Sequence, residues 1–300
     1  VHVRRKILRL YKRMSAICGN YLKSLAMVDL ARKLRRAYSL FIVRALWTHW
    51  FNPLYTLYFN FVFFPLRQAV RFPVYVYGWP RLFSQFGTME CRGVCRPGMV
   101  RLNVTIPSGP QYAAGNTQLD IWGKVVFRGT CEIGSGNKIN VSENGVLDMG
   151  GGTKITTFCN VTAYSEIRVG EQSWIVHRCQ VFDTNFHFVA DFGRGVVPSM
   201  ARPISIGDYC WICNSTTITG GAVIPDKTIV ASNSLVGKDM SAIPPESIIG
   251  GVPAKLLCTG RRKVESCRFN ASLLKYFAEN PAAKCYVMPE DVDHSVCDVD

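Results

Sequence analysis

Two residue types in this chain can do chemistry near neutral pH, histidine and cysteine; there are five of the first and twelve of the second. His187 stands in DTNFHFVADFGRGVVPSMARP (residues 183–203), an irregular stretch that interrupts an otherwise periodic region. A free imidazole titrates near pH 6.5, so it can take up and return a proton at working pH. His177, in IVHRCQ ten residues earlier, is the other candidate base. Asp183, four residues before His187, is placed either to orient the imidazole or to cap a turn. Cys210-x-x-Cys213 has the spacing of half a zinc site, but no second such pair follows it, so no metal is expected. His177 and His187 are the only histidines of the periodic region, one short of a three-histidine metal site.

The periodic region must position these residues. From Ile206 the chain divides without a gap into IGDYCW, ICNSTT, ITGGAV, IPDKTI, VASNSL and VGK. The first position is aliphatic every time (Ile206, Ile212, Ile218, Ile224, Val230, Val236), and the fifth is small (Cys210, Thr216, Ala222, Thr228, Ser234). A period of six fits neither a helix nor an ordinary strand. One bulky inward residue and one small residue per unit is the pattern of a parallel β-helix, three units making one triangular coil. Cys210 falls in the small fifth position, which makes it a packing residue.

Upstream the phase is less clean. Phe127, Ile133 and Ile139 keep it, as do Ile155, Val161 and Ile167, and then Val169, Ile175 and Val181 restart two residues out of step. ENGVLDMGGGTKI reads as a turn between coils. The repeats run from about Leu102 to Pro253, broken once by residues 183–203. FPVYVY (residues 72–77) reads as a separate strand. Five N-x-S/T sequons fall at Asn103, Asn140, Asn160, Asn214 and Asn270 and are taken as chance.

Charge divides the chain differently. The net charge is +14, yet residues 1–100 hold 17 Lys/Arg and two acids, while residues 101–300 hold 18 and 19. Basic residues interleaved with large apolar ones, as in ARKLRRAYSLFIVRALW, suit a helix lying in the headgroups of an anionic membrane. An uncharged run, ALWTHWFNPLYTLYFNFVFFPL (residues 45–66), is long enough to span a bilayer. Pro53, Pro65, Asn52, Asn60 and nine aromatics argue for the interface instead. So much apolar surface beside the charge excludes a solvated arm tracking nucleic-acid phosphates. No cleavable signal peptide is recognised, and the cysteines are read as reduced, which places the chain in the cytoplasm at the inner face of the cell membrane.

The stretch IGDYCWICNSTTITGGAVIPDKTIVASNSLVGKDMSAIPPESIIGGVPAKLL resembles the left-handed β-helix, hexapeptide-repeat acyltransferases. Within them it is similar to the bacterial maltose, galactoside and capsule-modifying O-acetyltransferases. The resemblance covers residues 120–260. It implies a mainly β fold, a left-handed parallel β-helix; with the charge division, the chain reads as a basic, helical, aromatic region over 1–80, the β-helix over 81–260 and a helical tail over 261–300. It implies acetyl-CoA as co-substrate, no metal, a sugar or glycan hydroxyl as acceptor, a homotrimer, and no covalent acetyl-enzyme. Residue by residue it carries the catalytic base onto His187, with Asp183 beside it. It carries backbone oxyanion donors onto Trp211 to Asn214, where the loop rejoins the prism. Coenzyme A contacts fall on Asn214, Ser232, Gly237, Lys238 and Lys255. Cys213 stands where that family usually has glycine. The alternatives are an N-acetyltransferase of an amino sugar, serine O-acetylation, and a non-catalytic membrane-associated β-helix scaffold.

Overall fold

A computed structural model describes residues 30, 32–36, 50–105, 115–289 and 292–300. Residues 30 and 32–36 are helical. The basic stretch of residues 1–29 and the segment 37–49, with Trp47, lie outside the described residues.

The body is a three-sided prism. Among the described residues, short strands form a nine-stranded, a seven-stranded and a six-stranded face, parallel except for the last strand of the first, and the chain visits them in that order in each coil. One coil runs Trp211–Ile212, Thr217–Thr219, Val223–Ile224, and the next begins at Ile229–Val230. Stacking follows the aliphatic positions: Ile175, Ile212, Val230 and Ile249 are register partners on the nine-stranded face, and Val181, Ile218 and Val236 on the seven-stranded one. All seven are at most 1% exposed, so the stacks are the core. The fold is a left-handed parallel β-helix with a helical C-terminal tail.

The small fifth position turns the corner. Cys210, Thr216, Ala222, Thr228 and Ser234 are all buried there. Cys131, Cys159 and Cys179 fill equivalent slots in earlier coils, and their thiols donate to backbone carbonyls such as Val176 and Cys213. The preceding residue carries the strain of the turn. Tyr209, Ser215, Gly221, Lys227 and Asn233, six apart, all have positive φ, a conformation L residues seldom adopt.

Three expectations change. The prism begins earlier than residue 81: Val74–Val76 is its first strand, paired with Val100–Val104. FPVYVY therefore belongs to the β-helix and not to the basic region. The segment ENGVLDMGGGTKI is mostly strand, because Leu147 and Met149 point inward on Val146–Met149 and Thr153–Ile155 follows, with turns at Glu143–Gly145 and Gly150–Gly152. The phase restart has a cause in the pleat. Ile167 and Val169 share one strand and both face the core, so the inward series passes from one to the other.

Among the described residues no helix is long and apolar enough to cross a bilayer. Helix α1 (Pro53–Phe63) starts at Asn52, whose side chain accepts from the Tyr55 N–H at 3.0 Å, and Pro53 at the first helical position suits that start. It lies across the beginning of the prism with Phe59 and Phe63 buried. Asn60 accepts from Val74 N–H at 3.0 Å and donates to Val74 carbonyl at 2.7 Å, and Thr56 Oγ1 accepts from Val76 N–H at 2.9 Å. In the short helix α2 (Leu66–Ala69), Gln68 makes the same two-way contact with the backbone of Cys91, 2.8 Å each way. The polar Asn60 thus belongs to a fully hydrogen-bonded cap.

At the other end Lys255–Cys258 turns back antiparallel on Ile248–Gly250. The tail then crosses the outer side of the nine-stranded face. Lys263 Nζ sits 3.2 Å from the Trp174 ring centroid and 5.9 Å from that of Trp211. Arg262 pairs with Glu246 and Asp298, and helix α3 (Cys267–Glu279) follows, capped by Ser266.

Candidate active site

Residues 183–203 leave the end of Gln180–Phe182 on the seven-stranded face and return at Ile204–Ile206 on the six-stranded face. The loop is therefore an arm at the corner between those faces. Register partners are 18 residues apart below it (Ile218 and Val236) and 37 apart across it (Val181 and Ile218). The arm is held at both ends. Thr184 and Ala201 bridge at the base and Asp191 and Val196 near the tip. Asn185 N–H donates to Met200 carbonyl at 3.0 Å and Arg202 N–H to Asp183 carbonyl at 2.8 Å. Phe186 packs on Phe182 and Tyr164. A Cβ on Gly220 would lie 2.7 Å from Asp183 carbonyl oxygen, so the base needs glycine beneath it.

His187 follows that fixed base and is exposed, with no hydrogen-bond partner among the described residues. Asp183 does not serve it. Its Oδ1 accepts from Tyr164 N–H and its Oδ2 from Ser165 N–H, both at 2.7 Å, and it is 1% exposed. Burial pushes its carboxyl above the usual range, and those two amides pull the other way. Asp183 is the cap of a turn on the coil above. Its carboxylate fixes the arm and leaves the imidazole free.

The donor positions fall in two groups. Asn214 and Ser232 stack at the corner between the nine- and seven-stranded faces, Ser232 Oγ donating to Asn214 Oδ1 at 2.7 Å. His177 is directly above them, its carbonyl accepting from Ser215 N–H at 3.1 Å. Burial, and then Arg178, lower its pKa. Gly237 and Lys238 follow Leu235–Val236 at the opposite edge of the seven-stranded face, and a Cβ on Gly237 would meet Thr219 Oγ1 at 2.8 Å. Lys255 stands apart, exposed on the strand that turns back at the end of the prism.

The oxyanion expectation narrows. The loop does not rejoin the prism at Trp211, which lies one corner further on. Trp211 N–H donates to Thr228 carbonyl and Cys213 N–H to Val230 carbonyl, both at 2.9 Å. Both amides are spent on the coil below, because in a parallel ladder alternate residues of a strand turn their N–H groups to the same neighbour. The Trp211 ring stacks in register with Trp174 under the tail. The Asn214 N–H has no acceptor among the described residues. At Cys213 burial raises the thiol to about 11, and Lys263 opposes that rise.

No protein-family profile matches the chain. It is 22% identical over 143 residues to WbbJ of Escherichia coli (strain K12), described as a lipopolysaccharide biosynthesis O-acetyl transferase, covering 45% of this chain and 71% of that one. It is 36% identical over 55 residues to the galactoside O-acetyltransferase of the same organism, covering 18% and 26%. Among solved structures, the polySia specific acetyltransferase NeuO overlaps 67% of this chain and 92% of its own, at 19% identity and a TM-score of 0.33. The polysialic acid O-acetyltransferase OatWY does so over 66% and 95%, at 17% and 0.34. The repeat and the coil define the fold, a left-handed parallel β-helix, and in sequence the chain is similar to the two Escherichia coli transferases. Its curated relatives are bacterial O-acetyltransferases.

Proposed function

We propose that the protein transfers an acetyl group from acetyl-CoA to a hydroxyl of a surface glycan or its lipid-linked precursor, with His187 as general base. The carrying observation is the arm that holds an unengaged imidazole at the rim of the prism. The ring takes the proton from the attacking hydroxyl, which adds to the thioester carbonyl. The tetrahedral oxyanion forms against the Asn214 N–H, and the thiolate of coenzyme A leaves and is protonated. Holding both substrates at one imidazole supplies much of the rate. The donor fits the residues present: Asn214 and Ser232 line one edge, Gly237 lets backbone approach, and Lys238 and Lys255 meet phosphate charge.

One chain holds His187 and Asn214 on opposite edges of the seven-stranded face. The reading therefore includes a homotrimer in which the arm of one prism reaches the Asn214 edge of its neighbour. The arm's exposed Phe188, Val189, Phe192 and Val197 support that contact. The test is free thiol release from acetyl-CoA with a panel of nucleotide sugars and lipid-linked glycans. Release with no acceptor in the panel, by a trimer that coenzyme A-agarose retains, overturns the reading.

The membrane part rests on helix α1. Its outward side shows Leu54, Leu57, Tyr58 and Phe61, followed by exposed Leu66 and Val70, with Arg67 and Arg71 beside them. Each basic side chain near an anionic surface contributes about 1 kcal/mol, and aromatics settle in the interface. We expect the protein to float with phosphatidylglycerol vesicles at low salt and to leave them at high salt. The exposed pair Leu54→Glu and Phe61→Glu should abolish flotation without lowering the melting temperature. Flotation unchanged by the pair removes α1 as the contact.

A further inference from the structure

The three outer faces of the prism are used differently. On the six-stranded face the charges satisfy one another: Glu90 with Lys124 at 3.0 Å, Asp148 with Arg128 at 2.8 Å, and Glu166 with Arg168 at 3.2 Å. The nine-stranded face carries the Arg101–Glu132–Lys154 chain and is then covered by the tail. The seven-stranded face has neither such ion pairs nor a cover among the described residues. Its outward side chains form two columns in strict register. Gln118, Lys138, Asn160 and Gln180 make one, and Asp120, Asn140, Thr162 and Phe182 the other. All of them but Gln180 line an open cleft of about 300 Å³ with Phe83 above.

The side chains in that cleft are mostly planar amides and short polar groups. The Gln118, Asn160 and Gln180 amides have no protein partner among the described residues. Asn140 donates to Asp120 Oδ2 at 3.2 Å, and Trp122 Nε1 donates to Asp120 Oδ1 at 2.9 Å, which fixes that carboxylate with lone pairs to spare. At the upper end Trp122 and Phe86 pack with centroids 4.7 Å apart, and Phe83 is 65% exposed. Planar polar groups that donate and accept in pairs, beside exposed aromatic rings, are the chemistry that binds a polyhydroxyl chain: amides to hydroxyls, rings to the apolar faces of sugars. One lysine and one aspartate leave the cleft close to neutral.

Position gives the cleft its direction. It begins at Phe83, with the Trp122–Phe86 pair beside it on the corner toward the six-stranded face, and ends at Phe182, from which the His187 arm departs. Gln85 to Phe182 spans four strand-to-strand steps, about 19 Å at the usual spacing. That is room for several sugar units. Asn214, Ser232 and Gly237 flank the same face on the coils below. We infer that the upper seven-stranded face is an acceptor track, binding a neutral or weakly acidic glycan of several residues along the prism axis and delivering it to the level of His187. The donor then approaches along the same face from the opposite end. This rests on the O-acetyl transfer reading for its purpose, but binding itself does not depend on it.

The test uses the full chain on an array of immobilised bacterial polysaccharides and of short oligosaccharides graded by length, without acetyl-CoA. Binding should rise with chain length. The pair Trp122→Ala and Asn160→Ala should weaken it at least tenfold while melting temperature and retention on coenzyme A-agarose stay unchanged. In turnover the same pair should raise KM for a long acceptor with little change in kcat. Absence of binding to any glycan longer than a trisaccharide, or binding unaffected by the pair, overturns the track. Length-dependent glycan binding by a protein that releases no thiol keeps the track and removes the transferase reading.

Discussion

Replacing His187 by alanine should leave a folded, assembled protein whose turnover falls by about 10²–10⁴-fold, the usual contribution of a positioned general base. The fold survives because the ring is exposed and has no hydrogen-bond partner among the described residues. The arm is held instead by Asp183, Phe186 and the two bridges at residues 184/201 and 191/196. Thiol release with acetyl-CoA and acceptor is the measurement, with melting temperature and coenzyme A-agarose retention as controls. Activity within about threefold of the parent means that the base lies elsewhere. His177 is then the candidate: it stacks above Asn214 and Ser232, and burial lowers its pKa. His177→Ala made in parallel separates the two readings.

The second large effect is on folding. Ile218 is fully buried between its register partners Val181 and Val236. Ile218→Asp places a carboxylate in that stack with no cation or donor facing it. The expected loss is about 4 kcal/mol or more, which is much of the roughly 5–15 kcal/mol that stabilises a domain. The chain should be insoluble or unfolded by circular dichroism. Ser205→Asp, on the outward side of the neighbouring face, should cost about 0.5 kcal/mol or less. A soluble Ile218→Asp protein melting near the parent would show that residue 218 does not face the core.

How much of this was legible depended on coil length. Below the arm, partners recur every 18 residues until the last coil, and the aliphatic first and small fifth positions announce the fold directly. Above it the spacing drifts: Leu119, Ile139, Val161 and Val181 are register partners 20, 22 and 20 residues apart. Those coils have longer strands with two inward residues, so the period of six dissolves into the period of two. That is why Val74–Val76 reads as a separate strand and Val146–Met149 as a turn. Within the site, the arm and the position of His187 are visible in the sequence as a break in the repeat. The commitments of Asp183, Trp211 and Cys213 are not, because each is made to backbone on an adjacent coil, and sequence pattern carries no record of which backbone groups are already taken. The left-handed conformation at Tyr209, Ser215, Lys227 and Asn233 is equally hidden. Four different residue types hold one conformation there, imposed by stacking and not by local preference.

The cap made by Thr56, Asn60 and Gln68 has a consequence for solubility. A coil of parallel strands ends in a row of unpaired amides and carbonyls, and another chain can add to such a row as a further strand. The first prism strand among the described residues, Val74–Val76, is short and buries both its valines in the core, a good template for stacking prism on prism. The side chains of Asn60 and Thr56 occupy its outward backbone groups, and Gln68 does the same at Cys91. Lys255–Cys258, running the opposite way, blocks continuation from the far end of that face. A solenoid stopped at both ends in this way stays a particle of fixed length, where an open one would grow into filaments.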